Sequence, residues 1–182
     1  MYFADKGAQN TQETVRLALD CAKSRGITNI VVASGSGDTA RLFYRQPNLN
    51  VVCVTHAFGA KEPGKPRMDM AVWRELESNG IHVYTASHAL SAGERGISRK
   101  HGGVYPLELI ADTLRMLGHG VKVCVEIAVM ALDGGLLPYG LPIIAVAGSG
   151  KGADTAVIMH PAHANAILDC KINEIICKPA NF

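Results

Sequence analysis

The sequence predicts an α/β fold, a three-layer sandwich in which a mostly parallel sheet carries helices on both faces. Short apolar runs rich in β-branched residues alternate with stretches in which apolar residues recur at helical spacing. The run 27–33 is apolar on both faces from Ile30 onward, which is typical of a strand covered by helices on both sides. The 182 residues suit a single domain of this kind, and no repeat or linker divides them.

Six apolar segments have the length and composition of strands: 27–33, 51–56, 81–86, 143–147, 155–160 and 172–177. The first helix is predicted to begin at a capping box formed by Asn10 and Glu13 and to end at Gly26. Further helices are predicted at 39–44 and 70–80, where apolar residues again recur at helical spacing.

The second half of the chain predicts two more helices. Pro106 suits the first position of a helix that runs to Leu117. The segment 121–132 has the β-branched content of a strand, but its apolar residues recur at helical spacing. Lys122 and Glu126 also lie at i and i+4, which favours a buried helix. Short connections between the last strands predict at least one antiparallel pair near the C-terminus.

The segment 87–105 is long, rich in glycine and without periodicity, so it is predicted to be a loop. One interpretation is a mobile lid from Ser91 to Tyr105 that closes over an anionic ligand. Arg99 is then the favoured direct contact, because arginine binds phosphate through two hydrogen bonds. The other interpretation is a solvated basic loop on the surface.

Composition and charge argue against several classes of function. The formal charge is +2 and the basic residues are scattered, so no nucleic-acid partner is expected. No apolar stretch reaches the ~18 residues of a membrane span, so no membrane association is expected. The five cysteines are dispersed along the chain, which predicts free thiols and a cytoplasmic location.

Two Gly/Ser loops that follow predicted strands carry the main functional signal. Backbone N–H groups in loops of this kind bind phosphate. If the two preceding strands are neighbours where the strand order reverses, both loops face one crevice. The predicted ligand contacts in the first loop are Ser34, Gly35, Ser36, Gly37, Asp38 and Thr39. Those in the second loop are Gly148, Ser149, Gly150, Lys151 and Thr155.

Each loop also has a purely structural interpretation. The first is consistent with a tight turn into a helix that Thr39 caps. Asp38 repels phosphate, so its carboxylate is expected to accept backbone N–H bonds or to contact a ligand hydroxyl. The second is consistent with a hairpin loop that leaves Lys151 in solvent. It is not a Walker A loop, because Ala145 and Gly152 stand where that motif has Gly and Ser or Thr.

Two histidines are further candidates for ligand contacts. His56 ends a predicted strand at the edge where the loops lie, and His119 opens a predicted helix. The seven histidines form no i,i+4 pair with complementary ligands, so no metal site is predicted. Catalytic residues cannot be assigned, since the chain has neither a nucleophile elbow nor the spacing of a catalytic triad.

Five segments together are typical of one family: Asn10–Thr14, Val31–Ala40, Glu94–Gly103, Gly118–Glu126 and Gly148–Ala156. The chain resembles the C-terminal α/β domain of pyruvate kinase over nearly its full length, and this resemblance lies in Asn10–Thr14, Val31–Ala40 and Gly148–Ala156. Through the other two it resembles more closely a small stand-alone family related to that domain.

The resemblance implies a ligand class. In pyruvate kinase this domain carries an allosteric sugar-bisphosphate site, and the matching positions here are 34–39 and 148–155. A phosphorylated small molecule is therefore expected, with a sugar phosphate or flavin mononucleotide (FMN) as candidates. A homo-oligomer is also expected, because the domain lies at a subunit interface in pyruvate kinase.

The same resemblance limits the expected function. No segment resembles the barrel domain that transfers phosphate from phosphoenolpyruvate, so the chain is not expected to be a pyruvate kinase. The leading hypothesis is a binding domain for a phosphorylated small molecule. The alternatives are a small enzyme that acts on a phosphorylated metabolite and a structural or oligomerisation module.

Overall fold

The computed structural model describes residues 1–182 and contains one sheet of seven strands. The strands are β1 Tyr2–Asp5, β2 Asn29–Ala33, β3 Asn50–Val54, β4 Ile81–Tyr84, β5 Ile143–Ala147, β6 Thr155–His160 and β7 Lys171–Asn181. The α-helices are α1 Thr11–Arg25, α2 Asp38–Arg41, α3 Met70–Ser78, α4 Gly93–His101, α5 Pro106–Arg115 and α6 His119–Asp133. None of the helices combines the length and apolar character that crossing a membrane requires.

The strands lie in the order β1-β7-β6-β5-β2-β3-β4. The strands β5, β2, β3 and β4 run parallel to one another, and β1 is parallel to β7. β6 is antiparallel to both β5 and β7, which confirms the prediction of antiparallel pairing near the C-terminus. The order reverses at β2, because β3 lies on one side of it and β5 on the other.

Helices cover both faces of the sheet, and each face has its own hydrophobic core. On one face, Ile30 and Val32 of β2 belong to a cluster with Val15 of α1 and Leu76 of α3. On the other face, Val31 belongs to a cluster formed largely by α6. Because successive side chains of a strand point to opposite faces, the continuous apolar run of β2 supplies both cores. The predicted α/β sandwich is confirmed.

The helix α6 is buried along almost its whole length because it packs on β2, β5 and β6 and contacts α5. Burial on several sides explains why the segment 121–132 has the composition of a strand, since tertiary contacts outweigh helix propensity. The helix interpretation of this segment is confirmed. The predicted pair between Lys122 and Glu126 forms within α6, and each side chain is only 4% exposed.

The structure corrects the predicted starts of the first two helices. The Asn10 side chain donates to the carbonyl of Asp5 at 2.7 Å, and Glu13 accepts from Arg16, so no capping box forms. The helix α1 instead continues a 3₁₀ turn that precedes it. The helix predicted at 39–44 is a single turn, α2, followed by turns with i→i−3 hydrogen bonds.

The segment 87–105 is not the aperiodic loop that its composition predicts, because α4 forms within it. Contacts with α5 hold this helix: Glu94 Oε2 accepts from the backbone N–H of Leu107 at 2.8 Å. Such contacts outweigh the low helix propensity of Gly93 and Gly96. Movement of the segment on ligand binding stays a prediction.

The edge strand β1 is not among the strands predicted from the sequence, because its residues show no clear strand pattern. The strand is four residues long and buries only Phe3, so it shows almost no periodicity. β7 runs from Lys171 to Asn181, beyond the predicted segment 172–177, because its last residues pair with β1.

All five cysteines are free thiols, but they differ in accessibility. Cys53, Cys124 and Cys177 are buried, and burial raises the pKa of Cys53 to about 12 and that of Cys177 to about 11. We therefore expect a thiol reagent at about pH 8 to label the half-buried Cys21 and Cys170 first in the folded protein. Mass spectrometry after denaturation should show all five labelled. Equal labelling rates at all five sites in the folded state would contradict the described core.

Candidate ligand-binding crevice

The two Gly/Ser loops meet at one edge of the sheet because the strands that precede them are parallel neighbours. Ile30 of β2 pairs with Ile144 of β5, and Val32 pairs with Val146. The carboxyl ends of β2 and β5 are therefore adjacent where the strand order reverses, which is where sheets of this class open into a crevice. The condition under which the two loops face one crevice, that their strands are neighbours, is therefore met.

The crevice consists of two connected chambers. The inner chamber, with a volume of about 140 Å³, borders α6, and residues found only there include Thr55, His88, Val123, Glu126 and Met130. The outer chamber, with a volume of about 600 Å³, borders α1 and α2, and its own residues include Thr11, Ser36, Asp38, Arg67 and Lys151. Both chambers share the residues of their junction: Ala33, Ser34, Gly35, His56, Gly150 and Gly152.

Several backbone N–H groups of the two loops are available to a ligand. Those of Gly35 and Ser36 in the first loop have no acceptor within the protein. The same holds for Gly150, Lys151 and Gly152 in the second loop. All five residues line the crevice. Because unpaired N–H groups carry partial positive charge, grouping them in one crevice favours an anion.

Gly37 and Gly152 are among the positions in these loops that require glycine. Gly37 has a φ of +89°, and an added Cβ would lie 2.5 Å from Cγ1 of Val72. Gly152 has a φ of +70°, and a Cβ there would collide with Thr11 and Ala8. The glycines thus let the first loop approach α3 and the second approach α1. A bulky residue at Gly37 would disturb the turn itself, so it is a poor probe of ligand approach.

Asp154 holds the second Gly/Ser loop in place through hydrogen bonds. Its buried carboxylate accepts from the backbone N–H of Gly7 at 3.0 Å and of Ser149 at 3.2 Å. It also accepts from the hydroxyl of Thr155 at 2.8 Å. The carboxylate therefore ties the loop to the segment that leads into α1, and three donors stabilise its charge.

The outer chamber has an excess of positive charge. Arg67 and Lys151 line it, and Asp38 is its only carboxylate. Asp38 lies 3.0 Å from the guanidinium of Arg41 and accepts from the hydroxyl of Ser36 at 2.7 Å. The prediction that this carboxylate accepts backbone N–H bonds is therefore wrong, because side chains of its own loop and helix occupy it.

His56 follows β3 and lies at the junction of the two chambers. Its Nε2 is 2.9 Å from a guanidinium nitrogen of Arg67, and its ring centroid is 5.9 Å from that of His88. Burial, Arg67 and His88 all lower the pKa of His56. The imidazole is therefore neutral at about pH 7.

Glu126 is the carboxylate of the inner chamber. It accepts from Lys122 Nζ at 2.5 Å, from the backbone N–H of Leu90 at 2.9 Å and from the hydroxyl of Ser91 at 3.0 Å. Burial alone would raise the pKa of Glu126, but the Lys122 ammonium and the Leu90 N–H hold it below its usual value. Its oxygens are thus occupied by donors of the protein itself.

Most of the residues predicted from the sequence line the crevice: Ser34, Gly35, Ser36, Asp38, Thr39, His56, Gly148, Gly150 and Lys151. Five predicted residues are not part of its lining: Gly37, Arg99, His119, Ser149 and Thr155.

Four of these five residues have identifiable reasons for their position. Thr155 is buried next to Gly120 of α6, and its hydroxyl is bound to Asp154. Gly37 is buried against α3. Arg99 is exposed on α4, which contacts α5, and His119 is exposed at the first residue of α6.

Sequence reasoning missed several residues that build the crevice, among them Thr11, Arg67, His88, Glu126 and Asp154. A signal existed for two of them. Asp154 is a carboxylate inside a Gly loop, where a buried acceptor commonly holds the backbone, and Glu126 is a charged residue in an otherwise apolar helix. Arg67 lies in a segment without periodicity, so only the fold places it here.

Three solved structures similar to this chain are of pyruvate kinase from Cryptosporidium parvum, one of them in complex with ADP. They match with 17–18% sequence identity and TM-scores of 0.41–0.42. The matches cover 85% of this chain but only 23–24% of those chains, so the chain spans about a quarter of their length. The family model described as pyruvate kinase, alpha/beta domain, matches residues 12–159, which is well over half of the chain. The chain therefore belongs to the pyruvate kinase alpha/beta domain family.

Proposed function

We propose that this chain binds a phosphorylated small molecule, with the phosphate in the outer chamber between the two Gly/Ser loops. One observation carries the proposal: five loop residues whose backbone N–H groups have no protein acceptor line one crevice, at the reversal of strand order. Gly-rich loops that follow parallel strands are a recurrent way of binding phosphate.

The side chains of the outer chamber support an anionic ligand that carries hydroxyl groups. Arg67 and Lys151 supply positive charge, while the only carboxylate, Asp38, is paired with Arg41. Four Ser and Thr residues also line the chamber and offer hydroxyl groups to a polar ligand: Thr11, Ser34, Ser36 and Thr39.

A sugar phosphate suits this lining better than FMN does. Neither chamber is lined by Phe, Tyr or Trp, and a flat flavin ring is usually held by large apolar or aromatic surfaces. The sugar-bisphosphate site of pyruvate kinase, which the two loops resemble, favours the same ligand class. FMN is the second candidate, and the visible absorbance of the purified protein distinguishes the two.

Replacing Lys151 with alanine tests the proposal directly. By isothermal titration calorimetry we expect the parent protein to bind inorganic phosphate, to bind fructose 1,6-bisphosphate more tightly, and not to bind fructose. Lys151→Ala should weaken both phosphorylated ligands roughly tenfold, because a charge-assisted hydrogen bond to phosphate is lost.

The matched control is Lys100→Ala, which removes an exposed lysine of α4 that does not line the crevice. Its affinities should equal those of the parent protein. Arg99→Ala in the same titrations tests the predicted lid contact. Two results would show that the phosphate site does not lie between these loops. One is equal affinity for fructose and fructose 1,6-bisphosphate, and the other is an unchanged affinity in Lys151→Ala.

A small enzyme that acts on a phosphorylated metabolite is the second candidate function. The position of His56 at the junction of the two chambers favours it, since histidine is the side chain that most often transfers protons in enzymes. Nuclear magnetic resonance of sugar phosphates incubated with the protein in deuterated water detects turnover or proton exchange. Unchanged spectra would argue against an enzymatic function and leave ligand binding as the only proposed function.

A further inference from the structure

His56 and Ser34 are the polar side chains that the two chambers share. The Ser34 hydroxyl makes no hydrogen bond within the protein, and His56 makes one, to Arg67. A ligand that extends from the outer into the inner chamber must therefore pass these two groups.

Arg67 determines which nitrogen of His56 donates. A guanidinium group only donates, so Nε2 of His56, 2.9 Å from Arg67, must accept. In a neutral ring the proton then lies on Nδ1. Nδ1 lies over Gly35, where an added Cβ would come within 2.6 Å of it, and it has no acceptor within the protein. His56 thus presents an oriented N–H donor beside the first loop.

The other polar side chains of the inner chamber are already satisfied. Glu126 has its three donors, and Nε2 of His88 accepts from the backbone N–H of Ala57 at 3.3 Å. The hydroxyl of Thr55 donates to the carbonyl of His56 at 3.0 Å. Away from the glycines of the two loops, the remaining side chains of the wall are apolar: Val54, Val123, Ile127 and Met130. Such a chamber accommodates an uncharged chain better than a second phosphate.

From this arrangement we infer that the inner chamber receives the non-phosphate end of the ligand, a short uncharged chain with hydroxyl or carbonyl groups. His56 selects that chain by donating from Nδ1 to one of its oxygens. The inference rests on the proposed function, since the phosphate must occupy the outer chamber. The inner volume of about 140 Å³ has room for roughly five groups of the size of water.

Two probes separate the chambers: inorganic phosphate requires only the outer one, and ribitol 5-phosphate also reaches the inner one. By calorimetry we expect the parent protein to prefer ribitol 5-phosphate roughly tenfold, which is the typical gain from a well-placed hydrogen bond and some apolar contact. His56→Leu should abolish this preference, which is read as the ratio of the two affinities within the same variant because His56 also contacts Arg67 of the outer chamber. His56→Asn should retain most of it, because the asparagine amide nitrogen takes the place of Nδ1.

A second variant tests the chamber without touching His56. Val123 is half-buried in its wall, so Val123→Phe should reduce the affinity for ribitol 5-phosphate to that for inorganic phosphate. Val104→Phe makes the same change at a residue that is 76% exposed and outside the crevice, and should have no effect. Thermal unfolding verifies that each variant is folded.

The possible failures are distinguishable. If the parent protein did not bind inorganic phosphate, the proposed function would be overturned and the inference with it. If it bound phosphate but did not prefer ribitol 5-phosphate, or kept the preference in both His56→Leu and Val123→Phe, only the inference would be overturned.

Discussion

Replacing Lys122 with methionine is expected to lower the free energy of unfolding by about 3 kcal/mol or more. The ammonium group of Lys122 lies 2.5 Å from Glu126, and both side chains are only 4% exposed. Methionine fills a similar volume but leaves the carboxylate without its counter-charge inside the protein. Urea unfolding followed by circular dichroism measures the change.

The double variant Lys122→Met/Glu126→Gln should recover most of the loss, to within about 1 kcal/mol of the parent protein. Glutamine removes the unpaired charge, and its side-chain oxygen still accepts from the Leu90 N–H. As a matched control, Arg16→Met breaks an i,i+4 pair on α1 whose arginine is 56% exposed and should leave stability nearly unchanged. A double variant no more stable than the single one would show that the uncompensated charge is not the cause.

Replacing Asp154 with alanine is expected to cost about 3 kcal/mol, because it leaves the buried hydroxyl of Thr155 and the partly buried N–H groups of Gly7 and Ser149 without their acceptor. The second Gly/Ser loop would also lose its connection to the segment before α1. We therefore expect weaker phosphate binding together with lower stability, measured by calorimetry and urea unfolding on the same samples.

Asp154→Asn provides the matched control. One asparagine oxygen can accept from both Gly7 and Ser149, and its amide can donate to the Thr155 hydroxyl, so the loss should be clearly smaller than for alanine. Amide hydrogen exchange should be accelerated at Gly7 and Ser149 in the alanine variant and much less in the asparagine variant. Equal exchange in both variants would argue against this carboxylate as the anchor of the loop.

The fold was largely predictable because its central elements have strong local patterns. The buried strand β2 is continuously apolar, and α6 has helical spacing with a favourable pair at Lys122 and Glu126. The elements that were mispredicted depend on tertiary contacts. α4 is rich in glycine, and the bond from Leu107 of α5 to Glu94 helps to hold it. β1 has four residues and a single buried side chain.

The candidate crevice was predictable only where it is built from contiguous residues. The Gly/Ser loops are recognisable from their composition, and the adjacency of β2 and β5 places the two loops together. Arg67 and Thr11 reach the same crevice from a segment without periodicity and from the start of α1. Their spacing from the loops along the chain carries no information about distance in space. Arg99 lies outside the lining, so its predicted contact requires α4 to move and stays a prediction.

The pairing of β1 with β7 joins the two ends of the chain. Tyr2 pairs with Lys178 and Asp5 with Asn181, and β7 is the only neighbour of β1. Contacts between such distant parts of a chain close a large loop and form late. Gly7, just after β1, donates to Asp154, so the late step also fixes the second Gly/Ser loop. We therefore expect the crevice to reach its final shape late in folding and release of this short edge strand to loosen it.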